Sequence, residues 1–229
     1  MRATPVNQGL LSELQGHLSA DLFASATPVR RAADEVLFVA GDAGNGCYRV
    51  EDGLIKVTMM SRAGVERILA FLGPGAIVGE LVIDGRPRSA SVVALRDSVL
   101  RFVSREAYEK RVLADPETKQ ALLEILAFRL RQADEELAAA TFLSVKARVA
   151  RALLELAEFV GTPSGPRSIV LDEKISHADL AAMAGVAREN ASRVLSEWRR
   201  RNLVLTGTSP RYVLNNVAAL EREIREARA

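Results

Sequence analysis

Residues 175–204 read ISHADLAAMAGVARENASRVLSEWRRRNLV. Ser176 followed three residues later by Asp179 is a capping-box arrangement, with Asp in place of the usual Glu, and it starts a helix. Ala181, Ala182 and Ala184 allow a second helix to approach closely, Gly185 permits a left-handed turn, and Val186 plugs the core before that second helix opens at Ala187. On the second helix Val194, Leu195 and Trp198 form an inward face, while Arg188, Glu189, Ser192 and Arg193 lie near its start, free to face outward. Two helices joined through a glycine turn in this way make a helix-turn-helix.

The outward residues have the chemistry to read DNA. An arginine fork donates twice to guanine O6 and N7, and a carboxylate accepts from cytosine N4, so Arg188, Glu189 and Arg193 are candidate base readers, with Ser192 among the groove-facing polar residues. Arg199, Arg200 and Arg201 close the helix, where they serve either a phosphate contact or the helix dipole and solvent. The next stretch, LVLTGTSPRYVLNN (203–216), reads as a two-stranded wing with Gly207 and Pro210 in its turn and Arg211 placed to meet phosphate. The pattern predicts a winged helix. A last helix, roughly 217–229, alternates Glu and Arg and is expected to be a peripheral, solvated face.

Upstream, VKARVARALLELAEFVG (145–161) is a helix ending at Gly161, and TPSGPRS is a loop of breakers before the strand-like SIVLD (168–172). Before that, ETKQALLEILAFRLRQADEELAAATFL (117–143) follows Asp115-Pro116 and runs without Gly or Pro as one long helix. Leu123, Leu126, Leu130, Ala133, Leu137 and Ala140 recur at alternating spacings of three and four, the seam of a two-stranded coiled coil, which predicts a parallel homodimer. The alternative is a stripe that packs on its own domain. Between Thr27 and about Arg105 the pattern changes to short β-rich runs, EVLFVAG, CYRVEDG, LIKVTMM, ERILAFLG and SVVALRDSVLRFV, separated by turn residues, which predicts a closed β-roll. Asp52-Gly53 between β-prone flanks predicts a tight hairpin. Leu10, Leu11, Leu14, Leu18 and Leu22 predict a short amphipathic helix over 8–24.

This order of elements resembles that of the cyclic AMP receptor protein family, the Crp/Fnr regulators, over nearly the full chain. The most specific stretch is PGAIVGELVIDGRPRSASVVAL (74–95), similar to the family's phosphate-binding cassette, in which a Gly-Glu step precedes a short helix and an Arg-Ser/Thr-Ala segment. Here these are Gly79-Glu80, followed by Leu81, and Arg88-Ser89-Ala90. The resemblance implies that Arg88 neutralises a cyclic phosphate, that Ser89 and nearby backbone N–H groups hydrogen-bond it, and that Glu80 accepts from a ribose hydroxyl. A salt bridge between Glu80 and Arg88 that merely closes a turn is the structural alternative. Arg129 matches a family arginine near the ligand, whereas Ala133 and Asp134 stand where the best-known member holds adenine with threonine and serine. Ala133 cannot hydrogen-bond a base, and a carboxylate at Asp134 suits guanine's donors as readily as adenine's amino group, so both cyclic AMP and cyclic GMP stay open, with cyclic AMP favoured. Arg188-Glu189 followed by Arg193 implies palindromic half-sites similar to TGTGA, and the family further implies RNA polymerase as a partner. A relative that needs no effector, or senses a different small molecule, also fits this pattern.

The expected fold is α+β: an N-terminal cyclic-nucleotide-binding β-roll (1–115), a long dimerisation helix (116–143) and a C-terminal winged helix-turn-helix (144–229). The charge agrees with a polyanionic partner. Residues 142–229 carry 14 Lys+Arg against 10 Asp+Glu, a net +4, within a chain whose net charge is +2. Cys47, the only cysteine, excludes an intrachain disulfide framework, a cysteine-only zinc site and a four-cysteine iron–sulfur ligand set. His17 and His177 are expected to be structural rather than haem ligands, so no metal, haem or cluster is expected. No G-x-S-x-G, H-E-x-x-H or P-loop pattern occurs, which argues against an enzyme, and no apolar run approaches membrane-spanning length, so a cytoplasmic protein is expected.

Overall fold

A computed structural model describes residues 22–24, 26–206 and 211–226. The expected helix over 8–24, apart from a turn at its last three residues, lies outside the described residues, as do His17 and the wing-turn residues Gly207 and Pro210. The chain divides into two compact units, one drawn from residues up to Met60 together with Leu69–Ala133, the other from Ser61–Ile68 and the residues from Asp134 onward.

The β-rich runs form strands β1 (Thr27–Arg31), β2 (Val36–Phe38), β3 (Gly46–Met60), β4 (Glu66–Leu72), β5 (Ile77–Val78) and β6 (Ser91–Ser104). They make a six-stranded sheet in the order β1-β6-β3-β4, with β2 also on β6 and β5 on β3. Val50, Ile55, Val92, Ala94 and Leu100 are almost fully buried at its centre. Asp52-Gly53 does not turn the chain, which corrects the expected hairpin: β3 continues through it, and the pairing with β6 shifts register on either side. A type I′ turn needs positive φ at both central residues. Only Gly53 has it, at 101°, and it forms a bulge so close to Ser98 that a Cβ would collide with it. The chain instead reverses at Ser61–Val65, where the Ser61 and Gly64 N–H groups donate to the Val65 and Ser61 carbonyls.

Two helices follow, α1 (Arg105–Ala114), capped by the Ser104 hydroxyl, and α2 (Pro116–Phe142). Pro116 fills the first helical position, and Asp115 accepts from the Thr118 amide at 3.2 Å, so the helix starts where proline costs nothing. On α2, Ala121, Leu122, Ile125 and Phe128 are buried; the first three join the core around Cys47, Ile77, Val82, Tyr108 and Val112. Leu123, Leu130 and Leu137, seven residues apart, remain 57%, 64% and 68% exposed. The helix therefore has two apolar faces. One is spent within the chain, while the other carries most of the expected seam.

The second unit holds α3 (Val145–Val160), β7 (Gly161–Pro163), β8 (Ile169–Leu171), α4 (His177–Ala184), α5 (Arg188–Arg200), β9 (Val204–Thr206), β10 (Tyr212–Leu214) and α6 (Val217–Glu226). Its sheet runs β7-β8-β10-β9, so the stretch read as a loop of breakers contributes a strand at Gly161–Pro163. Leu153, Leu171, Leu180, Trp198, Leu214 and Leu220 are completely buried. This is a winged helix, with α4 and α5 as its helix-turn-helix and β9-β10 as its wing.

Candidate functional site

The cassette lies within the first unit. Gly79, at φ 81°, caps a short 3-10 helix over Glu80–Asp84, and Gly85 ends it with φ 75°. The turn at Gly79 brings its carbonyl against Arg88, and a Cβ there would run into the guanidinium. Glu80, only 2% exposed, forms an ion pair with Arg129 of α2, and Arg129 also donates to the Ile77 carbonyl at 2.7 Å. The alternative salt bridge between Glu80 and Arg88 is thus not the one formed.

Arg88 is 7% exposed and donates to the carbonyls of Gly79 at 3.2 Å and Gly46 at 2.7 Å, and to Asn45 Oδ1 at 3.0 Å. Its guanidinium lies 4.1 Å from the Phe38 ring centre, and burial pulls its pKa below the usual arginine range. Sequence reasoning missed Asn45 and Phe38, because neither belongs to a spaced motif and both reach Arg88 only through the fold of the sheet. Ser89 is exposed and Ala90 buried beside Arg88, while Leu81 points to solvent. Ala133 and Asp134, one turn beyond Arg129, are exposed on α2. The structure therefore gathers Gly79, Glu80, Arg88 and Arg129 into one cluster, with Ser89 and Ala90 adjoining it along the chain.

Two buried polar atoms of this cluster, Glu80 Oε2 and Arg88 Nε, have no hydrogen-bond partner among the described residues. One is a charged acceptor and the other a charged donor, the pair that a sugar hydroxyl and a phosphate oxygen would satisfy. The residues present therefore fit a cyclic nucleotide. Cys47 is fully buried nearby, and burial followed by the Glu80 charge pushes its thiol far above the usual range, so it behaves as a small hydrophobe.

In the second unit the capping box forms as read: Ser176 Oγ accepts from the Asp179 amide at 3.0 Å, and Asp179 accepts from the Ser176 amide at 3.1 Å. Gly185, at φ 61°, ends α4. Sequence reasoning missed what satisfies that helix end. Arg67 donates to the carbonyls of Ala182 and Met183, and Arg148 to those of Ala184 and Gly185, so two guanidinium groups cap the last turn. Burial, then the charge of Arg67, lowers the Arg148 pKa. On α5, Ala191, Val194, Leu195 and Trp198 are buried, leaving Arg188, Glu189 and Arg193 exposed and Ser192 half-buried. Arg199 and Arg200 are exposed, whereas Arg201 pairs with Glu223 of α6 at 3.0 Å, a structural role within the basic run. Arg211 is exposed immediately before β10.

The comparisons with known proteins agree with these two halves. The family profile described as "Cyclic nucleotide-binding domain" matches residues 28–115, and that described as "Crp-like helix-turn-helix domain" matches 147–223. The chain is 35% identical to a cyclic AMP receptor protein of Thermus thermophilus, over 98% of each chain. It is 29% identical to a CRP-like cAMP-activated global transcriptional regulator of Mycobacterium tuberculosis, over 86% of this chain and 88% of that protein. Among solved structures it matches a CRP/FNR-family transcriptional regulator, also from Thermus thermophilus, with a TM-score of 0.74 and 26% identity, covering 87% of this chain and 98% of that one. With a cyclic nucleotide-binding domain, a Crp-like helix-turn-helix and a full-length relative at this identity, the chain belongs to the Crp/Fnr family of transcription regulators and is not an enzyme.

Proposed function

We propose that this regulator is a homodimer that binds palindromic TGTGA-like DNA under the control of a cyclic nucleotide, cyclic AMP being favoured and cyclic GMP the alternative. The observation that carries the effector reading is the unpartnered pair Glu80 Oε2 and Arg88 Nε. Each orphan costs about 1 to 3 kcal/mol while buried, and a ligand that offers one hydroxyl and one phosphate oxygen recovers that cost as affinity. That the Mycobacterium tuberculosis relative is a cAMP-activated regulator favours the same ligand. The exposed leucines of α2 supply the dimer seam, and Arg188, Glu189, Ser192 and Arg193 supply the base contacts, with Arg211 on phosphate. The working division is an effector domain over 1–115, a dimerisation helix over 116–143 and a DNA-binding domain over 144–229, in a cytoplasmic protein that contacts RNA polymerase.

A second reading, an effector-independent regulator, is favoured by the partners that the other atoms of the cluster already have. Three acceptors already engage Arg88, and Arg129 already pairs Glu80. Fluorescence anisotropy of a TGTGA-N6-TCACA duplex at fixed salt, without nucleotide and with cyclic AMP or cyclic GMP, separates the two readings. Affinity that reaches about 10⁻⁸ M only with one nucleotide identifies the effector. Equally tight binding in all three conditions sinks the effector reading.

A further inference from the structure

One imidazole ties together three elements of the winged helix. His177 opens α4 directly behind the capping box, and its Nδ1 lies 3.0 Å from the Ser192 hydroxyl on α5. Its ring stacks on Tyr212 of β10, with ring centres 6.3 Å apart and planes 26° from parallel. Tyr212 is 2% exposed, and burial followed by the charge of Asp179 pushes its hydroxyl up to about 12, so the platform under His177 is a neutral phenol. Ser192 lies between Glu189 and Arg193, within the exposed polar stretch of the recognition helix. Its neighbour one turn on, Ser196, turns its hydroxyl back to the Ser192 carbonyl at 2.8 Å. Ser192 instead directs its hydroxyl across to a different helix.

We propose that His177 is a positioning residue that fixes Ser192 as a hydrogen-bond acceptor, so that this point of the recognition helix reads an exocyclic amino group, adenine N6 or cytosine N4. The inference rests on the DNA reading above. A neutral imidazole carries one N–H, and the tautomer decides which edge of the ring donates. With Nδ1 turned to Ser192, Nε2 is the ring's remaining polar atom, and His177 stands at the N-terminus of α4, where the helix dipole favours an approaching phosphate. A phosphate there selects the tautomer with its proton on Nε2, which leaves Nδ1 a bare lone pair. Ser192 then donates its only hydrogen to Nδ1, and lone pairs alone remain for the groove. In the major groove those lone pairs match amino groups and reject guanine O6, guanine N7 and thymine O4. The opposite tautomer would present a hydroxyl hydrogen and reverse the preference.

The test is selection by the full-length protein from duplexes with randomised half-sites, at about pH 8, with and without cyclic AMP, for the parent chain and three variants. Ser192→Ala removes the reader. His177→Phe keeps a ring on Tyr212 but removes the acceptor, and His177→Asn returns an acceptor oxygen near the place of Nδ1. We expect the parent to favour an amino group at one groove position by about fivefold or more. Ser192→Ala and His177→Phe should lose that preference at the same position, and His177→Asn should regain it. Equal weakening on all sequences by His177→Phe, loss at different positions in the two variants, or a parent preference for an acceptor there overturns the inference while leaving DNA reading intact. A parent chain that selects no sequence overturns both.

Discussion

Arg88 and Arg188 are the same residue type in the two units of the chain, and they live under opposite rules. Arg88 is 7% exposed, and its terminal nitrogens are held by two carbonyls and an amide oxygen. Arg188 is exposed on α5, beside exposed Glu189. A charge taken out of water must be partnered in the folded chain, so Arg88 is structural before it is anything else, and a ligand adds to a network already formed. A charge left in water needs no partner in the folded chain, so Arg188 contributes almost nothing to folding. A buried and an exposed candidate site therefore differ in what mutation would reveal. The first couples binding to stability, and the second separates them.

We predict the largest effect for Arg88→Ala, which strands the Gly46 and Gly79 carbonyls: a loss of about 3 kcal/mol in urea unfolding. A loss as small as that of an exposed arginine would break the comparison. Arg129→Ala leaves the buried carboxylate of Glu80 alone and should cost about 2 to 3 kcal/mol, much of it regained in the double variant with Glu80→Gln. Failure of the second substitution to rescue would show that the ion pair is not what Arg129 supplies. Arg188→Ala should unfold within about 0.5 kcal/mol of the parent, yet lose about 1 to 3 kcal/mol of discrimination at one base pair by anisotropy. Uniform weakening across sequences would assign it to phosphate instead.

Glu155 sharpens the rule for a half-buried acid. Burial, then the charge of Glu136, raises its pKa from the ordinary 4.5 to about 7, with Arg151 opposing. The folded state holds this proton more tightly than the unfolded state, so stability falls as pH rises from about 4.5 to 7 and the penalty is constant above that. Glu155→Gln should therefore melt with the parent at acid pH and roughly 5 to 10 °C above it at pH 8; an advantage at acid pH would reverse the sign. The smallest effect is expected at Tyr108, whose buried hydroxyl has no partner among the described residues. Tyr108→Phe should leave stability unchanged or raise it by up to about 1 kcal/mol in urea unfolding, and a clear loss would mean that the hydroxyl is satisfied.

Helix ends are the most legible feature of the sequence, because their signals are local. Ser176, Asp179 and Gly185 each do in the structure what a capping box and a left-handed turn require. Asp52-Gly53 shows the limit of such signals. The demand for positive φ at Gly53 is readable, but whether the chain then reverses or bulges depends on β6, some 45 residues away in sequence, through the close approach of Ser98. The last helix is more than the solvated face its charges suggest: α6 buries Ala219 and Leu220, and two apolar residues among many charges give only a weak periodic signal.

The sequence by itself determined the order of elements and the helix-turn-helix with its candidate readers, because each depends on spacing over a few turns of chain, while the cassette residues were legible only through the resemblance to the Crp/Fnr family. Only the tertiary structure decided that Glu80 pairs with Arg129 rather than Arg88, that Asn45 and Phe38 hold Arg88, that Arg67 and Arg148 cap α4, and that His177 reaches Ser192. These partners come from distant parts of the chain, and burial makes them obligatory: a polar group withdrawn from water takes whichever complement the packing brings within reach, and no local spacing records which one that is.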